Sequence, residues 1–498
     1  MPSQASQGLQ FVEPTIFERG APGRSAVSLP ELDVPAVDPE AYFGAAARRE
    51  AAGLPEVSEP EVVRHYVRTS QWNFCIDSNF YPLGSCTMKF NPKVNEWAAR
   101  LPGFAGLHPL TPAAESQGAL ELIWRLERLL AEIVGMSGVS LQPAAGAQGE
   151  LTGLMMMRAY HQSRGRSPRK VIIPDTAHGT NPASCTANGL VAVPVVSGPH
   201  GLVELAEVAR AVEQAGDDLC GVMMTNPNTL GLYEVHMPAI ARLVHERGGL
   251  VYGDGANMNA VLGRSRPGDI GVDVLQFNLH KTFTTPHGGG GPGSGPVAFV
   301  DKLEPFQPGP TIKREADGAF RLDHERPQSV GRVRSFLGNF GMMVRAYTYI
   351  RELGAQGLRD VSAMAVLNAN YLAARLEPML PIAYPRPCMH EAVFSDRDLE
   401  AKTGVKTLDL AKRLIDYGFH PPTVYFPLNV KGALMLEPTE TESKETIDSF
   451  SEAVAAILRE ALETPEKVTS APHTTRVGRL DEARAARKPQ LRWRRDAS

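Results

Sequence analysis

The amino-acid sequence predicts an α/β protein: a large domain on a mostly parallel sheet, a smaller C-terminal α+β domain and an extended N-terminal arm. Three observations predict it. Between residues 170 and 300, short Val- and Ile-rich runs alternate with amphipathic helical stretches, the pattern of a sheet covered on both faces. Beyond about Gly331, a long helix-like run leads into shorter segments of mixed character. Before about residue 60, the chain is rich in Pro, Ala and Glu and shows little periodicity.

The elements follow in chain order. VSLPELDVPAVDPEAYFG suits an arm laid over another surface, and residues 1–115 are read as this arm with an adjoining segment. From Ser116, SQGALELIWRLERLLAEIVG puts Leu122, Leu126, Leu129, Leu130 and Ile133 at helical spacing, with Gly135 placed to stop the helix. Strands are expected at 171–175, 190–196, 221–227, 249–256, 274–278 and 297–300. Helices such as VELAEVARAVEQAG and MPAIARLVHERGG lie between them, so 116–330 forms the large domain. The run FGMMVRAYTYIRELGAQGLRDVSAMAVLNANYLAARL opens the small domain, 331–470, which also holds HEAVFS, PLNVKGALMLEP and SKETIDSFSEAVAAILREAL. The Arg-rich end, 471–498, has few apolar residues and reads as a flexible tail.

A chain of 498 residues with 43% hydrophobic and 21% charged residues and a net charge of -4 is an ordinary globular protein. Its charge argues against nucleic-acid binding. The N-terminal stretch lacks the basic flank and apolar run of a signal peptide, and no apolar run reaches membrane-spanning length, so a cytoplasmic protein is expected. The cysteines Cys75, Cys86, Cys185, Cys220 and Cys388 are odd in number, scattered and without a CxxC pair, which argues against disulfides and zinc. Cys86, within YPLGSCTMKFNP, has no neighbouring His in sequence and reads as an incidental cysteine.

The polar residues at the strand ends carry the chemistry. QPAAGAQGELTGLMMMRAY sets Gly146 and Gly149 in a turn before a helix, whose free amides and positive dipole end suit a phosphate, although neither the Walker pattern nor GxGxxG is present. VIIPDTAHGTNPAS delivers His178 into a turn, open to roles as base, metal ligand or flat stacking ring; no second ligand stands at metal spacing, and no metal is expected. GLVYGDGANMNA ends a buried strand on Asp254, an acid that needs a partner such as a protonated ring nitrogen. VLQFNLHKTFTTP ends another on Lys281, and a lysine drawn out of water becomes a nucleophile for carbonyls.

Together these residues ask for pyridoxal 5'-phosphate: phosphate on the amides of Gly146, Ala147 and Gln148, His178 stacked on the ring, Asp254 keeping the ring nitrogen protonated, and Lys281 forming a Schiff base. The order and spacing resemble the fold type I, aspartate aminotransferase-like enzymes. The strings YPLGSCTMKFNP, PAAGAQGE, AHGTNPAS, MTNPNTLG, YGDGANMNA, NLHKTF and LEPTETESKE, spread over about residues 77–448, resemble the glycine decarboxylase P-protein of the glycine cleavage system.

One lysine-bearing constellation in a chain of this length resembles the second subunit of the split form. That resemblance implies a homologous first subunit in an α2β2 assembly. It implies decarboxylation of glycine to CO2 and transfer of the aminomethyl group to the lipoyl arm of H-protein. It also implies Thr225 and Asn228 beside the ring hydroxyl, and polar Tyr81, Ser85 and Thr87 either at the substrate or lipoyl entrance or in a structural turn. His280 either delivers protons beside Lys281 or is turned away by strand alternation. Ala144 and Ala145 stand where relatives often carry other small or polar residues, leaving phosphate binding to backbone amides. The glycines from Gly288 to Gly295 would let backbone pass close to the cofactor or partner before the chain re-enters the sheet at Val297. Alternatives are another fold type I lyase or decarboxylase, or a non-catalytic scaffold subunit.

Overall fold

A computed structural model describes residues 13–50, 52–287, 292–384 and 387–493. The chain groups into two compact units, Ile76–Thr469 and the described parts of Met1–Cys75 with Ser470–Ser498.

In the larger unit the strands are β1 (Gly138–Ser140), β2 (Lys170–Pro174), β3 (Val191–Val195), β4 (Leu219–Thr225), β5 (Leu250–Gly255), β6 (Val274–Phe277) and β7 (Val297–Phe299). They pair in the order β1-β7-β6-β5-β4-β2-β3. From β3 to β6 the neighbours are parallel, and β7 is antiparallel to both β6 and β1. Six of the strands fall on the expected runs. The additional one, β1, spans three residues at the sheet edge, too short to leave a period. Pro194 is tolerated in β3 because β3 is the other edge.

Helix Gln117–Val134 buries Leu122, Leu126 and Leu130 and ends at Gly135 in the left-handed conformation (φ 69°), as its spacing predicts. Each such side chain contributes about 1.5–3 kcal/mol by leaving water. Helix Gly146–Gln162 starts at the C-terminal edge of the parallel strands, where loops leave room for a ligand. The long helix Phe340–Leu376 is broken at Gly354 (φ 62°, ψ -172°) into two helices. Its first part packs Met343, Val344 and Ile350 into the core under the large sheet. Its second part sends Leu372 and Leu376 into a separate core with Phe394, Phe450 and Ile457. That core backs a three-stranded antiparallel sheet of Ala392–Ser395, Ala433–Leu436 and Thr423–Val424. The hairpin Thr311–Arg314 with Phe320–Asp323 was not visible as strands in the sequence.

In the smaller unit, helix Glu59–Ser70 presents His65 and Arg68 to the buried carboxylate of Glu13, which Arg19 also reaches at 2.6 Å. The described C-terminal residues group with this unit: Trp493 stacks on Phe17 with ring centroids 5.0 Å apart, and helix Glu482–Arg487 precedes it. No helix among the described residues is long and apolar enough to cross a membrane.

Candidate active site

A cavity of about 200 Å³ opens where β4, β5 and β6 end. Among its lining residues are Gly146, His178, Thr225, Asp254, Asn257 and Lys281. The hydrophobic strands deliver these groups. β5 is buried along its whole length and carries Asp254 as its penultimate residue, whose Oδ1 accepts from Ala256 N at 3.0 Å. Asp254 lies opposite Thr225 on β4 and Gln276 on β6. Lys281 follows β6 in a turn that Lys281 N closes on Asn278 O at 3.3 Å. Its Nζ donates to Ser85 O at 2.8 Å and to Asn257 Oδ1 at 3.1 Å.

The opposite wall is the start of helix Gly146–Gln162. Gly149 N makes a helical bond to Ala145 O, and the amides of Gly146, Ala147 and Gln148 precede it at the positive end of the helix dipole. A side chain at 146 would fall 2.9 Å from Asn278 Oδ1, so glycine is needed there for close packing. The Gln148 side chain is engaged in holding the loop: Oε1 accepts from Ala144 N at 2.7 Å and Nε2 donates to Val333 O at 2.5 Å. Gly288–Gly291 lie outside the described residues. Gly295 presses against the phosphate-type loop, where an added Cβ would meet Ala145 O at 2.2 Å.

His178 is exposed on the cavity side, with Nδ1 2.8 Å from Thr180 Oγ1, and Thr180 in turn donates to Glu150 Oε1 at 2.7 Å. Thr225 lines the cavity, and its Oγ1 is buried without a hydrogen-bond partner. Asn228 does not reach it. Its Oδ1 accepts from Leu230 N and Leu232 N, and its Nδ2 donates to Gly201 O and Glu234, so it shapes the loop while the next residue, Thr229, lines the cavity. His280 takes the orientation away from the cavity, accepting from Ser294 N at 3.3 Å and meeting His287 edge-on at 5.1 Å. Burial, with His287 and Lys281 adding to it, pushes His280 down to about 3, so the ring is neutral at physiological pH.

Several polar groups were not legible in the sequence. Glu150, 5% exposed, accepts from Thr180 and Ser184 beside the cavity. Burial, and then the Asp254 carboxylate, push Glu150 up to about 7. Lys89, unlike the part-exposed Lys281, is buried: burial opposes its charge, but Glu440 at 2.6 Å and Tyr349 hold it above its ordinary value. Its Nζ also donates to Thr282 O, tying the YPLGSCTMKFNP segment to the Lys281 turn. Cys86 has its thiol pushed up by burial, which argues against a nucleophile. Spatial folding also gathers His390, Glu391 and Glu437, all buried, with ligand-type atoms within 4.8 Å of one another, a cluster that no sequence spacing announced. Burial, with Glu437 next, holds Glu391 well above the usual carboxylate range.

Glu150 makes the cofactor-free fold sensitive to pH. Below about pH 4.5 the folded and unfolded chains both carry its proton; as pH rises towards 7 only the unfolded chain releases it freely, so stability falls, by at most about 3 kcal/mol. Glu150→Gln is expected to flatten the fall in Tm between pH 5 and 8 in calorimetry of the cofactor-free chain. Equal slopes in both proteins would show that Glu150 does not titrate in this range.

The comparisons with known proteins agree with one another. A family model described as glycine dehydrogenase, C-terminal domain, matches residues 361–476. The probable glycine dehydrogenase (decarboxylating) subunit 2 of Halalkalibacterium halodurans is 57% identical over 480 residues, covering 96% of this chain and 97% of its own. Its counterpart from Bacillus velezensis is 56% identical over 482 residues, covering 96% and 97%. Among solved structures, an inhibitor-bound glycine decarboxylase (P-protein) of the glycine cleavage system aligns with a TM-score of 0.70 at 20% identity, covering 84% of this chain and 94% of that one. A cysteine desulfurase from Thermococcus onnurineus NA1 aligns at 0.59 and 17% identity, covering 77% and 95%. At such identities the structural matches speak to the fold, which is that of the fold type I enzymes. The family rests on the sequence relatives, which match over nearly the whole chain at more than half identity: this chain belongs to the glycine dehydrogenase (decarboxylating) subunit 2 family.

Proposed function

We propose that this chain is the lysine-bearing subunit of a cytoplasmic glycine dehydrogenase (decarboxylating). It takes CO2 from glycine with pyridoxal 5'-phosphate and passes the aminomethyl group to the lipoyl arm of H-protein, in an α2β2 assembly with a homologous first subunit. One observation carries the reading: Lys281, Asp254, His178 and the amides of a helix N-terminus open on one cavity. The donor set fits the cofactor. The helix start suits its phosphate, and the partnerless Thr225 Oγ1 at the end of β4, across the cavity, is a buried polar atom awaiting a ligand.

When bound, pyridoxal phosphate supplies a ring that accepts the electron pair left by the departing carboxylate. The chain's own groups do the rest. The amides of Gly146, Ala147 and Gln148 would hold the phosphate, and His178 would cover the ring from its exposed position. Asp254, buried at the end of the strand, would face the ring nitrogen and hold a proton there. Lys281 Nζ is the only lysine amine lining the cavity among the described residues, and is the group that would join the cofactor and carry protons beside the substrate carbon. The neutral His280, facing Ser294, stays outside these transfers.

The test is exchange of the glycine carboxylate with labelled CO2. Exchange is expected when the chain is combined with its first subunit and lipoylated H-protein; full activity of the isolated chain would contradict the two-subunit assembly. Bulkier amino acids preferred over glycine would favour another lyase. Gly295→Ala is expected to weaken pyridoxal phosphate binding about tenfold, because the new methyl overlaps the backbone of Ala145 and forces the phosphate loop to move. Equilibrium dialysis showing unchanged affinity would place the phosphate elsewhere.

A further inference from the structure

The segment holding Ser85 and Thr87 is not shaped by its own sequence. Both residues adopt left-handed backbone (φ 64° and 48°), a conformation that non-glycine residues keep only when their surroundings hold them there. Two buried carboxyl groups do the holding. Glu391 Oε2 accepts from Ser85 N at 2.7 Å. Glu437 accepts from Thr87 N at 2.9 Å and from Thr87 Oγ1 at 2.6 Å. Asn257 Nδ2 donates to the same Thr87 hydroxyl at 2.7 Å, which orients the amide so that its Oδ1 faces Lys281.

Two routes therefore end on one nitrogen. From Glu391 through the Ser85 backbone, and from Glu437 through Thr87 and Asn257, the chain aims two acceptor oxygens, Ser85 O and Asn257 Oδ1, at Lys281 Nζ. Neither oxygen has a proton to give, so the pair recognises a primary amine or ammonium through its N–H groups. We propose that these oxygens form a resting cradle for the Lys281 amine after substrate has displaced it. Glu391, Glu437 and Thr87 are positioning residues that fix the cradle. The proposal rests on the function proposed above, in which Lys281 must leave the cofactor and return in each turnover. A lysine on a flexible four-carbon stem returns fastest if it is kept close and oriented.

The experiment uses the chain assembled with its first subunit and loaded with pyridoxal phosphate. After saturation with glycine and rapid dilution, the return of Lys281 is followed by visible absorbance, and by borohydride quenching with peptide mapping. Asn257→Ala, which removes one acceptor, and Thr87→Ala, which unlinks Asn257 from Glu437, are expected to slow the return about tenfold. Cofactor content should stay at the unmodified level. Thr87→Ser, which keeps the hydroxyl, is expected to restore the rate. A return at the unmodified rate in both alanine variants overturns the cradle, as does a serine variant as slow as the alanine one. Absence of borohydride-fixed Lys281 in the unmodified chain overturns the proposed function and the cradle with it.

Discussion

Lys281→Ala is expected to abolish turnover, by about 10³-fold or more, while leaving a folded chain that still holds pyridoxal phosphate without a covalent bond. The separation follows from where the contacts lie. The phosphate-type amides belong to helix Gly146–Gln162 and the ring-nitrogen partner to β5, neither of which depends on the lysine amine. Loss of the side chain empties only the bonds to Ser85 O and Asn257 Oδ1, both of which belong to partly exposed residues bordering the cavity, where water can replace the amine. The checks are borohydride incorporation, expected to vanish from the peptide containing residue 281, and cofactor content after gel filtration, expected to persist. Insoluble protein in this variant would favour a structural role for the lysine.

Asp254→Asn keeps the size of the side chain and removes its charge. With no anion facing the ring nitrogen, glycine-dependent CO2 exchange is expected to fall about 10²–10³-fold with cofactor still bound. Near-normal exchange would mean that protonation of the ring does not depend on Asp254. The same substitution carries a second readout. Since the Asp254 charge is one cause of the raised Glu150 titration, its removal is expected to shift the pH-dependent loss of stability towards lower pH.

What could be read from the sequence divides along a physical line. Strands buried on both faces must be apolar throughout, so β2 and β4 to β7 announced themselves, and the polar residue ending each stood out against its run: Asp254 after Leu250–Tyr252, and Lys281 shortly after Val274–Phe277. Asn228 and Thr229 show the limit. A loop that closes on its own amides exchanges the roles of neighbours, and no period marks which one faces the cavity. Glu391 and Glu437 lay further out of reach. They act on residues 306 and 350 positions earlier, and a carboxylate in a short strand-like run carries no mark of the backbone it will hold. The Arg-rich end reads as unstructured by composition because the contacts of its described residues, such as Trp493 on Phe17 and Arg476 over Trp72, come from single side chains rather than from a buried stripe.

The broken helix Phe340–Leu376 bears on how such chains can be taken apart. The region matched by the C-terminal family model starts at residue 361, beyond Gly354 but still within this helix. Val361 at that start belongs to the core under the large sheet, and Leu372 three turns later belongs to the other core. The stretch matched by the family model is therefore not a stretch that can fold as one: severed at 361, it would carry an apolar stripe that its own remaining residues cannot cover. A cut before Phe340 would carry Met343, Val344 and Ile350 out of that same core as well, so the helix rivets the two cores together and offers no clean seam along its length.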